Sequence, residues 1–246
     1  MQSKHVRPTC EKRWPEELGR QISKNQFLLS YKLVGSTIGT PRDYKTHFKL
    51  LHRGLWTPNK AFLAKKEPSN HCICGLRGDH KHIFSQCRLI QPLLKGFRDL
   101  SRALGQGPIH ILEPTDIVLG TFRGKGLPPA LLLFLFALKK FYWIAFTERR
   151  YGDKSVMKAP SLIWAEITNR VESRFKAYQG EWTKQLRFIR YRAGRGKPHL
   201  KEYRLNKYVK KEWSAKIAPL GSVEFVGDNV KIRLRKPWAD ISSLVT

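Results

Sequence analysis

The chain has 246 residues, 41% of them apolar and 11% aromatic, which supplies a buried core and excludes a wholly disordered chain. Lysine and arginine number 47 against 19 aspartates and glutamates, a formal charge of +28. A folded chain so far from neutrality repels itself unless polyanions neutralise it. Nucleic acid, which releases condensed counterions on binding, is the foremost such partner. An anionic membrane surface and a merely solvated basic face are the alternatives.

Residues Met1 to Leu33 hold no continuous apolar core of a secretory leader, and Glu11, Glu16 and Glu17 argue against a mitochondrial presequence. The longest apolar run, Ala130 to Leu138, stops at Lys139-Lys140, short of the about 20 residues that cross a bilayer. The expectation is an intracellular protein without a membrane partner, in the nucleus ahead of an organelle.

In chain order, residues 1–40 lack a strong period and read as a basic N-terminal arm. Pro41 opens a helix with Tyr44, Phe48 and Leu51 on one face, stopped by Gly54 and Pro58. Residues 68–88 hold a Cys/His cluster in a loop. Ile90, Leu93, Leu94, Phe97, Leu100 and Leu104 then recur at helical spacing. Pro128-Pro129 suits the first turn of a helix over about 129–150, apolar nearly all round and therefore central, ending in a solvated Glu148-Arg149-Arg150. Ser161 to Tyr178 is amphipathic, with Ile163, Ile167, Val171 and Phe175 in a stripe, Arg170 and Arg174 beside it, and Gly180 as its stop. Trp182 to Tyr191 reads as a further short helix or strand, and Ser222 to Leu234 as a hairpin turning at Gly227-Asp228-Asn229. The fold class is mainly α, a helical domain with a zinc-stapled Cys/His loop and a small C-terminal β-hairpin. It divides into an arm (1–40), a helical zinc-binding domain (41–180) and a basic C-terminal segment with the hairpin (181–246).

The segment from His71 to Cys87 carries three cysteines and three histidines. Crowded cysteines in an intracellular chain suit metal better than disulfides, and structural zinc takes four N or S ligands arranged tetrahedrally. Cys72, Cys74, His82 and Cys87 form a C-x-C-x7-H-x4-C set that leaves no open position, so zinc here would be structural. His71 paired with Cys74, or His80 in place of His82, are alternative sets, and ordinary loop residues without metal are a third reading.

Cys72-x-Cys74-Gly75, His82-Ile83-Phe84 and Cys87, followed by an apolar helix, resemble the zinc-binding segment downstream of the polymerase in non-LTR retrotransposon reverse transcriptases. The stretch from Leu50 through Trp56 to Ala61-Phe62-Leu63 resembles that segment's helical lead-in. Leu138 to Arg150 is similar to the basic, tryptophan-bearing helix that often closes these reading frames. The resemblance spans roughly residues 45–150 and implies a zinc-containing nucleic-acid-binding protein. Two departures qualify it. One residue, not two, separates Cys72 from Cys74, and no Asp-Asp dipeptide of a polymerase palm occurs. Polymerisation is therefore not an activity of this chain alone. The nearest match to an associated nuclease motif, Pro114-Thr115-Asp116, has no Glu-x-Lys partner.

Between Lys184 and Lys211 lie eleven basic residues with Glu202 as the only acid. Phe188, Tyr191, Tyr203, Tyr208 and Trp213 are interleaved among them. Cations meet phosphates while aromatic faces stack on unpaired bases. Lys184, Arg187, Arg190, Tyr191, Arg192, Arg195, Lys197, Arg204, Lys207 and Lys210 are the candidate nucleic-acid-binding residues, for RNA or single-stranded DNA ahead of duplex. A structural RNA-binding subunit of a ribonucleoprotein, such as an organellar ribosome, is the alternative. A divergent nuclease built on Asp116 comes last, because the chain is poor in acids; no enzymatic activity is expected.

Overall fold

The structure, a computed structural model, describes residues 9–36, 39–106, 112–123, 125–152, 155–193, 209–227 and 229–234. Helix α7 (Pro129–Tyr151) is the axis of the molecule. From Ala130 to Lys139 every residue is buried, because this stretch offers no polar face to water. Each of its leucines and phenylalanines removed from solvent contributes roughly 1.5–3 kcal/mol, so the helix must be covered on all sides. Helices α3 (Pro41–Leu51) and α8 (Pro160–Ala193) supply its broadest covers, with α2 (Lys24–Ser36) and α5 (Gln91–Ala103) completing the wrap. The remaining elements are α1 (Thr9–Leu18), α4 (Pro58–Leu63), α6 (Pro114–Leu119), a π-helical turn (His82–Gln86) and two antiparallel pairs. These pairs are β1 (Thr121–Phe122) with β2 (Lys125–Gly126), and β3 (Gly221–Val226) with β4 (Asn229–Leu234). The fold is thus mainly α with a small C-terminal hairpin.

Three sequence expectations are revised. The described part of residues 1–40 is not an arm: α1 and α2 bury Trp14, Leu18, Phe27 and Leu33 in the common core. Each helix contributes only a pair of anchors, too few to set up a visible period. Trp14 Nε1 also donates to the Leu51 carbonyl at 2.9 Å.

The second revision concerns Gly180, where α8 does not stop. A glycine inside a helix costs about 1 kcal/mol relative to alanine, less than the gain from burying Trp182 and Leu186, which lie within the next two turns. Trp182 stacks on Trp213 at 4.7 Å, and Val230 and Ile232 donate their backbone N–H groups to Thr183 and Gln179 of α8. The hairpin is therefore clamped onto α8, which runs through residue 180.

The third revision is Lys139, which does not interrupt the apolar run but lies wholly buried within it. Its Nζ is 2.9 Å from His47 Nδ1 and donates to the Val118 carbonyl at 3.2 Å. Consequently α7 is long and apolar enough by length and composition to cross a bilayer, yet 72% of its most apolar stretch is buried inside the fold. Asp43 secures α3 to α8. It accepts from the Thr40 backbone N–H at 2.8 Å, capping α3, and from Arg170 Nε at 2.5 Å.

Burial pushes the Lys139 amine well below its ordinary value, and burial with the neighbouring Lys139 does the same to His47. Between this lowered value and the ordinary one, the folded chain binds the Lys139 proton less than the unfolded chain does. The unfolded state binds the extra proton, so this group adds stability as pH rises towards the ordinary lysine value of 10.5 and removes it as pH falls. Lys139→Met should flatten the stability–pH profile of the native chain by up to about 1.4 kcal/mol per pH unit on its alkaline side, measured by urea unfolding from pH 7.5 upward.

Candidate metal centre

The loop after α4 is built to bring two cysteines together. Cys72 N–H donates to the Leu76 carbonyl at 2.6 Å and Gly75 N–H to the Cys72 carbonyl at 2.9 Å. Gly75 sits at φ +93°, a conformation that L side chains rarely adopt. The knuckle lies tight on α4: a Cβ at Gly78 would meet Pro58 atoms at 2.8 and 2.9 Å. Asp79 then accepts from the His82 N–H at 2.7 Å and starts the next turn.

That turn is π-helical. On a regular α-helix, residues five apart diverge by about 140°. The widened turn, closed by Cys87 N–H donating to the His82 carbonyl at 2.7 Å, returns both side chains to one point.

Cys72, Cys74, His82 and Cys87 consequently present ligand atoms that all lie within 4.8 Å of one another. Cys72 Sγ is 3.7 Å from Cys87 Sγ, and Cys74 Sγ is 3.1 Å from His82 Nε2. Two sulfurs on tetrahedral arms of about 2.3 Å stand about 3.7 Å apart, so the first pair already has a metal-site spacing. No disulfide joins these cysteines. Hydrogen bonding from the Cys72 thiol is the main cause that holds Cys87 far below the ordinary thiol range, and the same bond, with burial, pushes Cys72 up. The buried Tyr142 hydroxyl has no oxygen or nitrogen partner and lies against the sulfur cluster. An anionic, metal-bound Cys87 would give it an acceptor, as outer ligand-shell donors do in metal sites. The donor set and this orphaned hydroxyl fit a cation.

The structure also sorts the alternative ligands. His71 is exposed and paired with Ser69. His80 is buried away from the cluster: its Nε2 faces the Leu55 carbonyl at 3.3 Å and its Nδ1 faces Glu17 at 3.5 Å. Glu17 further accepts from Arg53 and from the Lys81 N–H, which ties α1 to the metal loop. Burial raises the Glu17 carboxyl, but His80, Arg53 and Lys81 outweigh it and hold it at about 2. Arg150, expected at a solvated helix end, instead donates to the His71 carbonyl at 2.8 Å and pairs with Glu67. Phe84 stacks on Trp143 at 5.7 Å. The loop is thereby held against α7 from two points. Among the described residues no other cluster of histidines, cysteines and acids could hold an ion.

Of the basic candidates, Lys184 and Arg187 are exposed on α8 beside Phe188, and Arg187 donates to Asn229 at 2.8 Å. Lys210 lies over the Phe225 ring at 6.0 Å. The side chains of Arg190, Tyr191 and Arg192, and residues Arg195, Lys197, Arg204 and Lys207, lie outside the described residues, as do Tyr203 and Tyr208. Trp213 is buried on Trp182 and is a core residue, not a stacking platform. Arg170 and Arg174 both face Asp43, at 2.5 and 3.9 Å. Asp116 caps its own helix, accepting from the Glu113 N–H at 3.4 Å, and also accepts from the Arg123 N–H at 3.0 Å and from Thr121. No family model matches the chain, and no curated protein matches it.

His82→Gln should abolish stoichiometric metal uptake, whereas His80→Gln should retain it and lower the melting temperature by severing α1 from the loop. Elemental analysis and a thermal melt on each variant distinguish the two roles. Tyr142→Phe should weaken metal affinity by about 10-fold, read by competition with a chromophoric chelator.

Proposed function

We propose that this protein is a zinc-containing nucleic-acid-binding protein resembling the region downstream of the polymerase in a retroelement reverse transcriptase, without the polymerase active site. The observation that carries the reading is the charge of +28 on a folded, acid-poor chain, which polyanion binding offsets. Zinc is the metal that best suits three thiolates and one imidazole, because it accepts tetrahedral S3N ligation without redox chemistry. Cys72, Cys74, His82 and Cys87 would hold it, and its work would be structural, closing the loop against α7 and α5. Lys184 and Arg187, exposed on α8, and the basic residues that follow them in the sequence would grip phosphates. A subunit of a ribonucleoprotein particle is the second reading, favoured by the same charge, and predicts that the native protein co-purifies with one large RNA.

The expected result is one zinc per chain and strong, salt-dependent binding to RNA and single-stranded DNA. Neutralising Arg187, Arg190, Arg192 and Arg195 together should lower the slope of log affinity against log salt by about 3, from about 0.7–0.9 for each phosphate contact. Titration across a salt series checks this; an unchanged slope would remove the segment from the interface.

A further inference from the structure

The corner between α3 and α4, next to the metal loop, carries a second concentration of cations and exposed rings. A cleft of about 430 Å³ opens there, with Arg13, Arg53 and Lys60 on its walls and His52, Thr57 and Asn59 between them. That volume suits a small ligand or one nucleotide of a strand. Of its three full cations, Arg53 meets the carboxylate of Glu17, and among the described residues no carboxylate pairs with Arg13 or Lys60. Lys60 Nζ donates at 2.6 Å to the Arg53 carbonyl, and burial followed by repulsion from Arg53 lowers its pKa. Arg13 is exposed at the rim.

Immediately outside the cleft, Trp56 is 44% exposed, with Lys60 Nζ and Lys66 Nζ at 4.9 and 4.4 Å from its ring centroid. On α4, which follows Trp56, Phe62 and Leu63 are 42% and 70% exposed. Rings that stay in water between ammonium groups are the pattern of a stacking platform for unpaired bases.

The backbone adds an independent observation. Helices α3 and α4 both end with a basic residue in the left-handed region, Arg53 at φ +53° and Lys65 at φ +55°. Gly54 N–H reaches back to Lys49 and Lys66 N–H to Ala61, so both ends have the closure in which glycine is the usual left-handed residue. A non-glycine residue there is strained, and such strain gathers at binding sites. The left-handed turn at Arg53 also presents the carbonyl that holds Lys60. Of these two strained cations, Arg53 lines the cleft, and Lys65 borders a shallow groove together with Lys66, whose ammonium lies over the Trp56 ring.

We propose that this corner is a binding site for single-stranded nucleic acid, in which Trp56 stacks on a base and Arg13, Lys60, Lys65 and Lys66 contact phosphates. The assignment rests on the nucleic-acid reading above and places a binding face on the metal lobe, apart from the C-terminal segment. Because Glu17 joins Arg53 to His80 and Lys81, the metal loop fixes one wall of the cleft.

The test is titration of the full zinc-loaded chain with a short oligouridine across a salt series, with a thermal melt on every variant. Lys65→Gly relieves backbone strain, so its melting temperature should equal or exceed that of the native chain while its salt slope falls by about 0.7. Arg13→Gln with Lys60→Gln should lower the slope by about twice that amount. Trp56→Ala should weaken binding about 5- to 150-fold with little change in slope, and Trp56→Phe should restore most of the loss. Native affinity and slope in all of these variants, with the native chain binding normally, would overturn this site and leave the broader reading standing. Failure of the native chain to bind would overturn the broader reading and this site together.

Discussion

The structure depends on one constraint: α7 has no side that can face water for its first ten residues. Leu131 to Leu138 must be covered all round, and the rest of the chain is arranged to do so. Even Lys139 is admitted to this core, where His47 and the Val118 carbonyl satisfy its amine. An uncharged amine with hydrogen-bond partners is far less costly to bury than an ammonium. The second half of α7 then turns to the Cys/His loop, which Tyr142, Trp143 and Arg150 all reach.

The loop itself is too short to have a core. From Asn70 to Cys87 its order comes from backbone turns, from Gly78 pressed on Pro58, and from the convergence of four soft ligands. A cation at that point would replace the apolar core that so small a loop cannot build. Its surroundings are also electrostatically sorted. Glu17, buried at the junction with α1, neutralises Arg53 and orients His80, while among the described residues no carboxylate pairs with Lys60, Lys65 or Lys66 of the outward face. Stability and surface charge are thereby assigned to opposite sides of the same segment.

Much of this was legible in the chain. The clustering of Cys72, Cys74, His82 and Cys87, the helix after them, the central apolar helix and the turn at Gly227 follow from spacing and from turn chemistry. What escaped is physical in kind. A lysine ordinarily signals a surface, and nothing local reveals that His47, ninety-two positions away, accepts Lys139. Gly180 ordinarily stops a helix, and only the Trp182–Trp213 stack explains why it does not. Trp14 and Phe27 are single anchors without a period. The choice between His80 and His82 turned on a π-helical turn, which spacing alone does not specify. The left-handed Arg53 and Lys65 left no trace at all, because a strained cation reads in sequence like any other.

The central claim is that three sulfurs and one imidazole nitrogen of a single loop hold a metal ion in the native protein. X-ray absorption at the zinc edge of the purified, full-length chain tests it without perturbing any residue. The account predicts three sulfur neighbours at about 2.3 Å and one nitrogen at about 2.0–2.1 Å, with no exchangeable oxygen. A first shell dominated by oxygen or by several imidazoles, or a chain purified without stoichiometric metal, would contradict it.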